Sequence, residues 1–258
     1  MKSTVRLPRF GPIDSLMDRL LDYISAWDYN WKERIRGASH ADIIRLEKMA
    51  GLTDIGLEFP KSYKTYLHHM GLNDGDLLHP TLIYRTIPDL LSLYEECDEI
   101  DPHSLIVGGF ETGDQLRLNF DVPVLGEPPV DMTNAWGEYC APYAEGWEKL
   151  LFQYATRRCE RLRFPATATL STSEESLGLA RGRFGNISAM QILARFSDEE
   201  GLEKAWFNDA THYCAVFDDS TVWAELPPDA GALVFIYGGS DQKVDRLAQQ
   251  LRGLLAVD

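Results

Sequence analysis

Asp209, His212 and Cys214 contain the residue types of a cysteine nucleophile and its base. If Tyr213–Phe217 forms a strand, His212 and Cys214 share one face of it. No signature motif of a cysteine enzyme surrounds them, so the plain reading is a buried strand cysteine beside an ordinary histidine. His68, His69, Asp74, Asp76 and His79 contain metal-ligand types. Adjacent histidines on a helix point about 100° apart, and neither H-E-x-x-H nor the EF-hand spacing is present. Gly108-Gly109 and Gly238-Gly239 each follow an apolar run, but no phosphate-binding glycine motif contains them, and tight turns explain both. There is no G-x-S-x-G elbow. The pattern predicts no enzyme, no cofactor and no metal.

What remains is acid. Glu95, Glu96, Asp98, Glu99 and Asp101 crowd the end of one predicted helix, and Asp74 and Asp76 sit in a predicted turn. A single-sign cluster speeds the encounter with an oppositely charged partner and repels like-charged competitors. These seven residues are the candidate partner-binding set. The whole chain agrees in sign: 40 acidic residues against 25 basic ones leave a net charge of −15 over 258 residues. That balance argues against nucleic acid as the partner and favours a basic protein. The four cysteines, Cys97, Cys140, Cys159 and Cys214, form no C-x-x-C pair or disulfide framework. With no leader-like apolar segment near Met1 and no membrane-length run, the expectation is a cytoplasmic chain with free thiols. Oligomeric state is left open.

The elements that must position these residues read as follows. Residues 1–38 form an N-terminal helical extension: Asp14 caps a stretch with Leu16, Leu20 or Leu21, Ile24 and Trp27 at helical spacing, and Trp27, Tyr29 and Trp31 pack it down. Ser39 with Asp42 opens a helix striped by Ile43, Leu46, Met49 and Ala50, which Gly51 ends. Phe59-Pro60 starts the next, carrying Tyr63, Tyr66 and Leu67 and stopping at Gly71 before the turn Asn73-Asp74-Gly75-Asp76. A strand over Leu82–Tyr84, a helix over Ile87–Cys97, strands at Leu105–Val107, Gln115–Phe120 and Val122–Leu125, and a closing helix over Tyr143–Tyr154 complete this part. Arg157–Arg163 has no clear pattern and marks a boundary near residue 160. Beyond it the spacing predicts a strand over Ala189–Phe196 and a short helix over Glu199–Trp206. A hairpin of Tyr213–Phe217 and Thr221–Leu226 turns at Asp218-Asp219-Ser220, followed by a strand over Ala232–Tyr237 and a terminal helix. This is an α+β chain: a first domain over 39–158 and a small C-terminal α/β domain over 159–258.

Ile43, Leu46-Glu47, Gly51, Pro60, Tyr63, Tyr66-Leu67, Gly71 and Gly75, in that order, resemble the hallmark of the SUKH superfamily of bacterial immunity proteins, which is related to a fungal cell-wall regulator. Leu105–Gly109, Gly113-Asp114 and the alternating strand to Phe120 look like that family's central hairpin. The likeness covers about residues 39–155. Two features depart from the family: the loop Leu52–Phe59 is longer, and Asp74 interrupts a glycine pair. The resemblance implies a central antiparallel sheet flanked by helices and a binding role, the neutralisation of a cognate toxin domain, often a basic nuclease. The alternative it implies is an intracellular regulatory scaffold without a toxin partner.

Overall fold

The computed structural model describes residues 7–78, 81–97, 101–122, 127–134, 136–185, 187–217, 219–227 and 231–255. The chain divides into two compact units, Arg9–Ala155 and Met1–Pro8 with Thr156–Asp258. Each is α+β, and each holds a five-stranded antiparallel sheet.

In the unit Arg9–Ala155, α1 (Leu16–Ser25) buries Leu16, Met17, Leu20 and Ile24, and the short α2 (Trp31–Arg34) buries Trp31. Tyr29 is exposed and Trp27 half-buried, so of the three aromatics only Trp31 is core. α3 (His40–Met49) starts where Ser39 Oγ accepts the Asp42 N–H at 3.1 Å and ends before Gly51, whose φ of 72° lets the chain reverse. α4 (Lys61–Met70) follows Pro60. Tyr63 and Tyr66 meet Trp147 edge-on, at 4.8 and 5.1 Å between ring centroids, a favoured aromatic geometry.

The sheet then builds in chain order. β1 (Leu82–Tyr84) leads into α5 (Ile87–Glu96), which Thr86 and Asp89 open with a capping box. β2 (Ser104–Phe110), β3 (Gln115–Asn119), β4 (Val130–Thr133) and β5 (Tyr139–Ala144) complete the order β1-β2-β3-β4-β5. β2 carries an irregularity between Ile106 and Gly108; there the Ile106 N–H is donated to Tyr94 Oη of α5 at 2.8 Å. Gly108 and Gly109 lie inside this strand rather than in a turn. A Cβ on Gly108 would stand 2.8 Å from the Leu82 side chain, so glycine there permits the close approach of β1. Val122 belongs to no strand, and Pro123–Leu125 fall outside the described residues.

α6 (Trp147–Arg163) starts later and runs further than its sequence pattern suggests: Tyr143 belongs to β5, and Arg157–Arg163 is helix. The pattern fails there because the inward positions are partly polar. Cys159 and Glu160 are buried, with Glu160 taking the Thr221 hydroxyl at 2.8 Å.

The unit holding Thr156–Asp258 comprises β6 (Ala166–Ser171), α7 (Glu174–Arg183), α8 (Ala189–Glu200), β7 (Glu203–Lys204), β8 (His212–Phe217), β9 (Ser220–Glu225), β10 (Leu233–Gly238) and α9 (Asp241–Leu255). The strand order is β6-β10-β9-β8-β7, antiparallel throughout. Leu177, Ile192, Leu193, Phe196, Val244 and Leu251 of the helices pack on Leu170, Ala215, Val222, Val234 and Ile236 of the sheet. On the other face, Arg157 reaches Glu225 at 2.5 Å and lies over the Phe235 ring.

Two expectations fail in this unit. Ala189–Phe196 is helix, not strand: Ala189, Ile192, Leu193 and Phe196 follow helical spacing behind a capping box of Ser188 and Gln191. Glu199–Trp206 is not a helix, because α8 stops at Gly201 (φ 69°) and a two-residue strand follows. The hairpin expected from Tyr213 to Leu226 forms as β8 and β9, although Asp218 lies outside the described residues. No helix of the described residues is long and apolar enough to cross a membrane.

Candidate protein-binding surface

The seven acids of the sequence reading do not form one group. Glu95 and Glu96 end α5 on the surface, and Arg45 of α3 binds Glu95 at 2.6 Å. Asp101 is exposed and accepts the His103 N–H at 3.0 Å, while His103 Nδ1 lies 3.0 Å from Asp121. Asp98 and Glu99 lie outside the described residues. Asp74 is only 2% exposed. Its Oδ1 accepts the Asp76 N–H at 3.0 Å, its Oδ2 accepts the Leu78 N–H at 2.9 Å, and its carbonyl takes Trp31 Nε1 at 3.1 Å. Asp74 therefore builds the turn, and Arg85 stands 3.7 Å from its carboxylate. Asp76 is the exposed member of that pair.

The sequence reading missed a second surface, the hairpin of β4 and β5. The Asn134 side-chain oxygen accepts the N–H groups of Trp136 and Glu138, each at 3.0 Å, and its amide donates to Glu138 at 2.7 Å. Gly137 (φ 80°) closes the turn. This braced tip holds Trp136 at 85% exposure and Tyr139 at 62%. Behind it the register puts Gln115, Arg117, Asp131 and Thr133 on one face, because directly paired residues project the same way. Arg117 does not meet its cross-strand neighbour Asp131. Its guanidinium donates twice to Gln115 Oε1, at 2.7 and 3.0 Å, and lies against Gly137 of the tip. Asp131 accepts from Asn119 at 2.9 Å, and burial, the larger effect, pushes its carboxyl above the usual range. The signal in the sequence was Asn134 to Gly137, a turn set between short strands.

In the same unit Ile13, Leu57, Pro60, Lys61, Phe120 and Glu127 line a cleft of about 490 Å³. Burial raises the Glu127 carboxyl, opposed by hydrogen bonding to Ser62.

The nucleophile types near Cys214 assemble into structure rather than a reactive site. Asp209 Oδ1 accepts the N–H groups of Thr211 and His212 and the Thr211 hydroxyl, at 2.8 to 3.0 Å, which makes it a turn organiser. Cys214 is fully buried, and burial drives its thiol well above the ordinary value, away from the nucleophilic thiolate. His68 stacks on His40, and His69 Nδ1 pairs with the Thr65 carbonyl at 2.9 Å. His79 lies outside the described residues. Among the described residues no three His, Cys, Asp or Glu side chains are grouped to hold a metal ion.

No family model, no curated protein and no solved structure matches the chain significantly.

Proposed function

We propose that this chain is a SUKH-like immunity protein, a binding protein that neutralises a cognate, basic bacterial toxin domain by covering its working surface. The observation that carries the reading is the braced β4–β5 hairpin, which offers Trp136 and Tyr139 to solvent on a chain of net charge −15. Tryptophan and tyrosine dominate the energetics of protein interfaces, and a tip that is already ordered loses little entropy on binding. The exposed acids Glu95, Glu96 and Asp101 add to the negative charge that draws a basic partner towards the chain. The order of motif residues from Ile43 to Gly75 supports the same reading, as does an antiparallel sheet with helices packed against it.

The test is co-expression with the toxin-like domain encoded beside this chain, followed by co-purification. A stable complex that restores growth is expected. Trp136→Ala is expected to weaken it about thirtyfold or more, the scale of an interface hot spot. Glu95→Lys with Glu96→Lys is expected to slow association at low salt while leaving dissociation nearly unchanged. A toxin that stays lethal beside the folded chain refutes the proposal.

A further inference from the structure

Four sheet edges terminate the two sheets, and three of them are protected. β1 is three residues long with an irregular register, β7 is two residues long, and β5 carries Pro142 and two register shifts. β6 is different. It is six residues long, pairs with β10 in unbroken register, and contains no charge, proline or bulge; the nearest proline, Pro165, stands before it. No described strand lies on its other side.

The ladder fixes which groups are left over. The Thr172 N–H is donated to the Ala232 carbonyl at 2.9 Å, so Thr172 opposes Ala232 as a hydrogen-bonding pair. Bonding alternates along an antiparallel strand, which makes Leu170, Ala168 and Ala166 the residues bonded to β10. The N–H and C=O groups of Thr167, Thr169 and Ser171 therefore point away from it. These three side chains share one face and are all exposed.

We propose that β6 is a dimerisation edge whose occupant is β6 of a second copy of this chain, running antiparallel. A two-fold axis through Thr169 pairs Thr169 with itself and Thr167 with Ser171. All outward backbone groups of the three residues then bond in register and join two five-stranded sheets into one. The same register sets Thr against Thr and Thr against Ser, pairs that hydrogen-bond across strands. Charge at the strand's two ends is complementary under this symmetry. The last turn of α6 brings exposed Arg161 to the start of β6, and the first turn of α7 brings exposed Glu174 and Glu175 to its finish. Antiparallel pairing lays the basic end of one copy beside the acidic end of the other, and the isologous geometry closes at two chains. This inference does not rest on the toxin reading.

The test is the mass of the full chain across a concentration series by sedimentation velocity, with two variants. Thr169→Pro removes an outward N–H that β10 does not use, and Thr169→Lys places a charge on the axis facing its own copy. Both are expected to abolish the dimer while leaving the circular dichroism spectrum and melting transition in place. In a Cys140→Ser background, Thr169→Cys is expected to cross-link to itself on oxidation, since paired Cα atoms about 5.5 Å apart lie within disulfide reach. A chain that stays monomeric at all concentrations overturns the proposal. So does a dimer that survives both variants, which would lie elsewhere. A monomer that loses a co-purified toxin domain on Thr169→Pro overturns it as well, since the edge would then be taken by a partner's strand.

Discussion

Replacing Asp74 is expected to damage the fold and not merely a binding surface. Its two carboxylate oxygens hold the Asp76 and Leu78 N–H groups at 3.0 and 2.9 Å, and the residue is buried. Asp74→Ala deletes both acceptors. Each hydrogen bond to a charged group contributes about 1.5–3 kcal/mol, and a buried N–H left without a partner costs about 1–3 kcal/mol. The losses overlap, because one turn relaxes for both, so we expect about 3–5 kcal/mol for the pair. For a unit of this size 1 kcal/mol moves the midpoint by about 2–4 °C, so the Asp74→Ala transition should fall by about 10 °C. Asp74→Asn keeps one acceptor and turns a donor towards the other N–H, and should fall about half as far. Asp76→Asn is the control: Asp76 sits at φ 63°, which asparagine tolerates, and its side chain is 76% exposed, so the midpoint should move by less than about 2 °C. Scanning calorimetry on the three variants reads all of this. If Asp74→Ala melted with the wild type but lost its partner, the assignment of Asp74 to the turn would be wrong.

Other outcomes follow from single sites. Gly37→Ala should cost about 3 kcal/mol, because its Cβ would stand 1.9 Å from the His68 carbonyl oxygen, whereas Gly178→Ala in α7 meets nothing within 4 Å and should stabilise by about 0.5–1 kcal/mol; urea titration compares them. Burial raises the Glu127 carboxyl above its unfolded value, so the folded chain holds that proton longer. The stability this gives is full below the unfolded carboxyl range and is lost as pH rises through the folded one. The melting midpoint of Glu127→Gln should therefore gain on the wild type as pH climbs from about 4 towards neutrality. In a thiol assay on the native chain, exposed Cys140 should react quickly, while buried Cys159 and Cys214 should react only after unfolding.

The sequence exposed the elements whose two signals agreed. α3 combines an apolar stripe with the Ser39 cap, and both it and α5, read as a helix from Ile87, form where the pattern puts them, although the Thr86–Asp89 cap of α5 is seen only in the structure. The β8–β9 hairpin was legible from two buried runs around an acidic turn. α8 was misread because Ile192 and Leu193 look like a strand core when the Ser188–Gln191 cap is overlooked. β4, β5 and β6 escaped because they are short or hydroxyl-rich, and their hydrophobic contrast is weak. Asp74 was placed on the surface by composition, since an acid in a turn is usually solvated; its burial follows from Trp31, which lies far away in sequence and closes over the turn.

The two proposed associations respond to salt in different ways, which separates them in one experiment. A basic partner meeting a chain of charge −15 is drawn by long-range attraction, and the Debye length shrinks from about 30 Å at 0.01 M to about 10 Å at 0.1 M salt. Its association rate should fall steeply over that range. Two copies of the chain repel each other at long range and gain locally from Arg161 meeting Glu174 and Glu175. Salt weakens both effects, while the backbone bonds of Thr167, Thr169 and Ser171 are not screened. The dimer should therefore keep its affinity, or gain, as salt rises. A dimer that dissociated with the steep salt dependence of a charge-steered complex would be held by opposite charges and not by the backbone of β6.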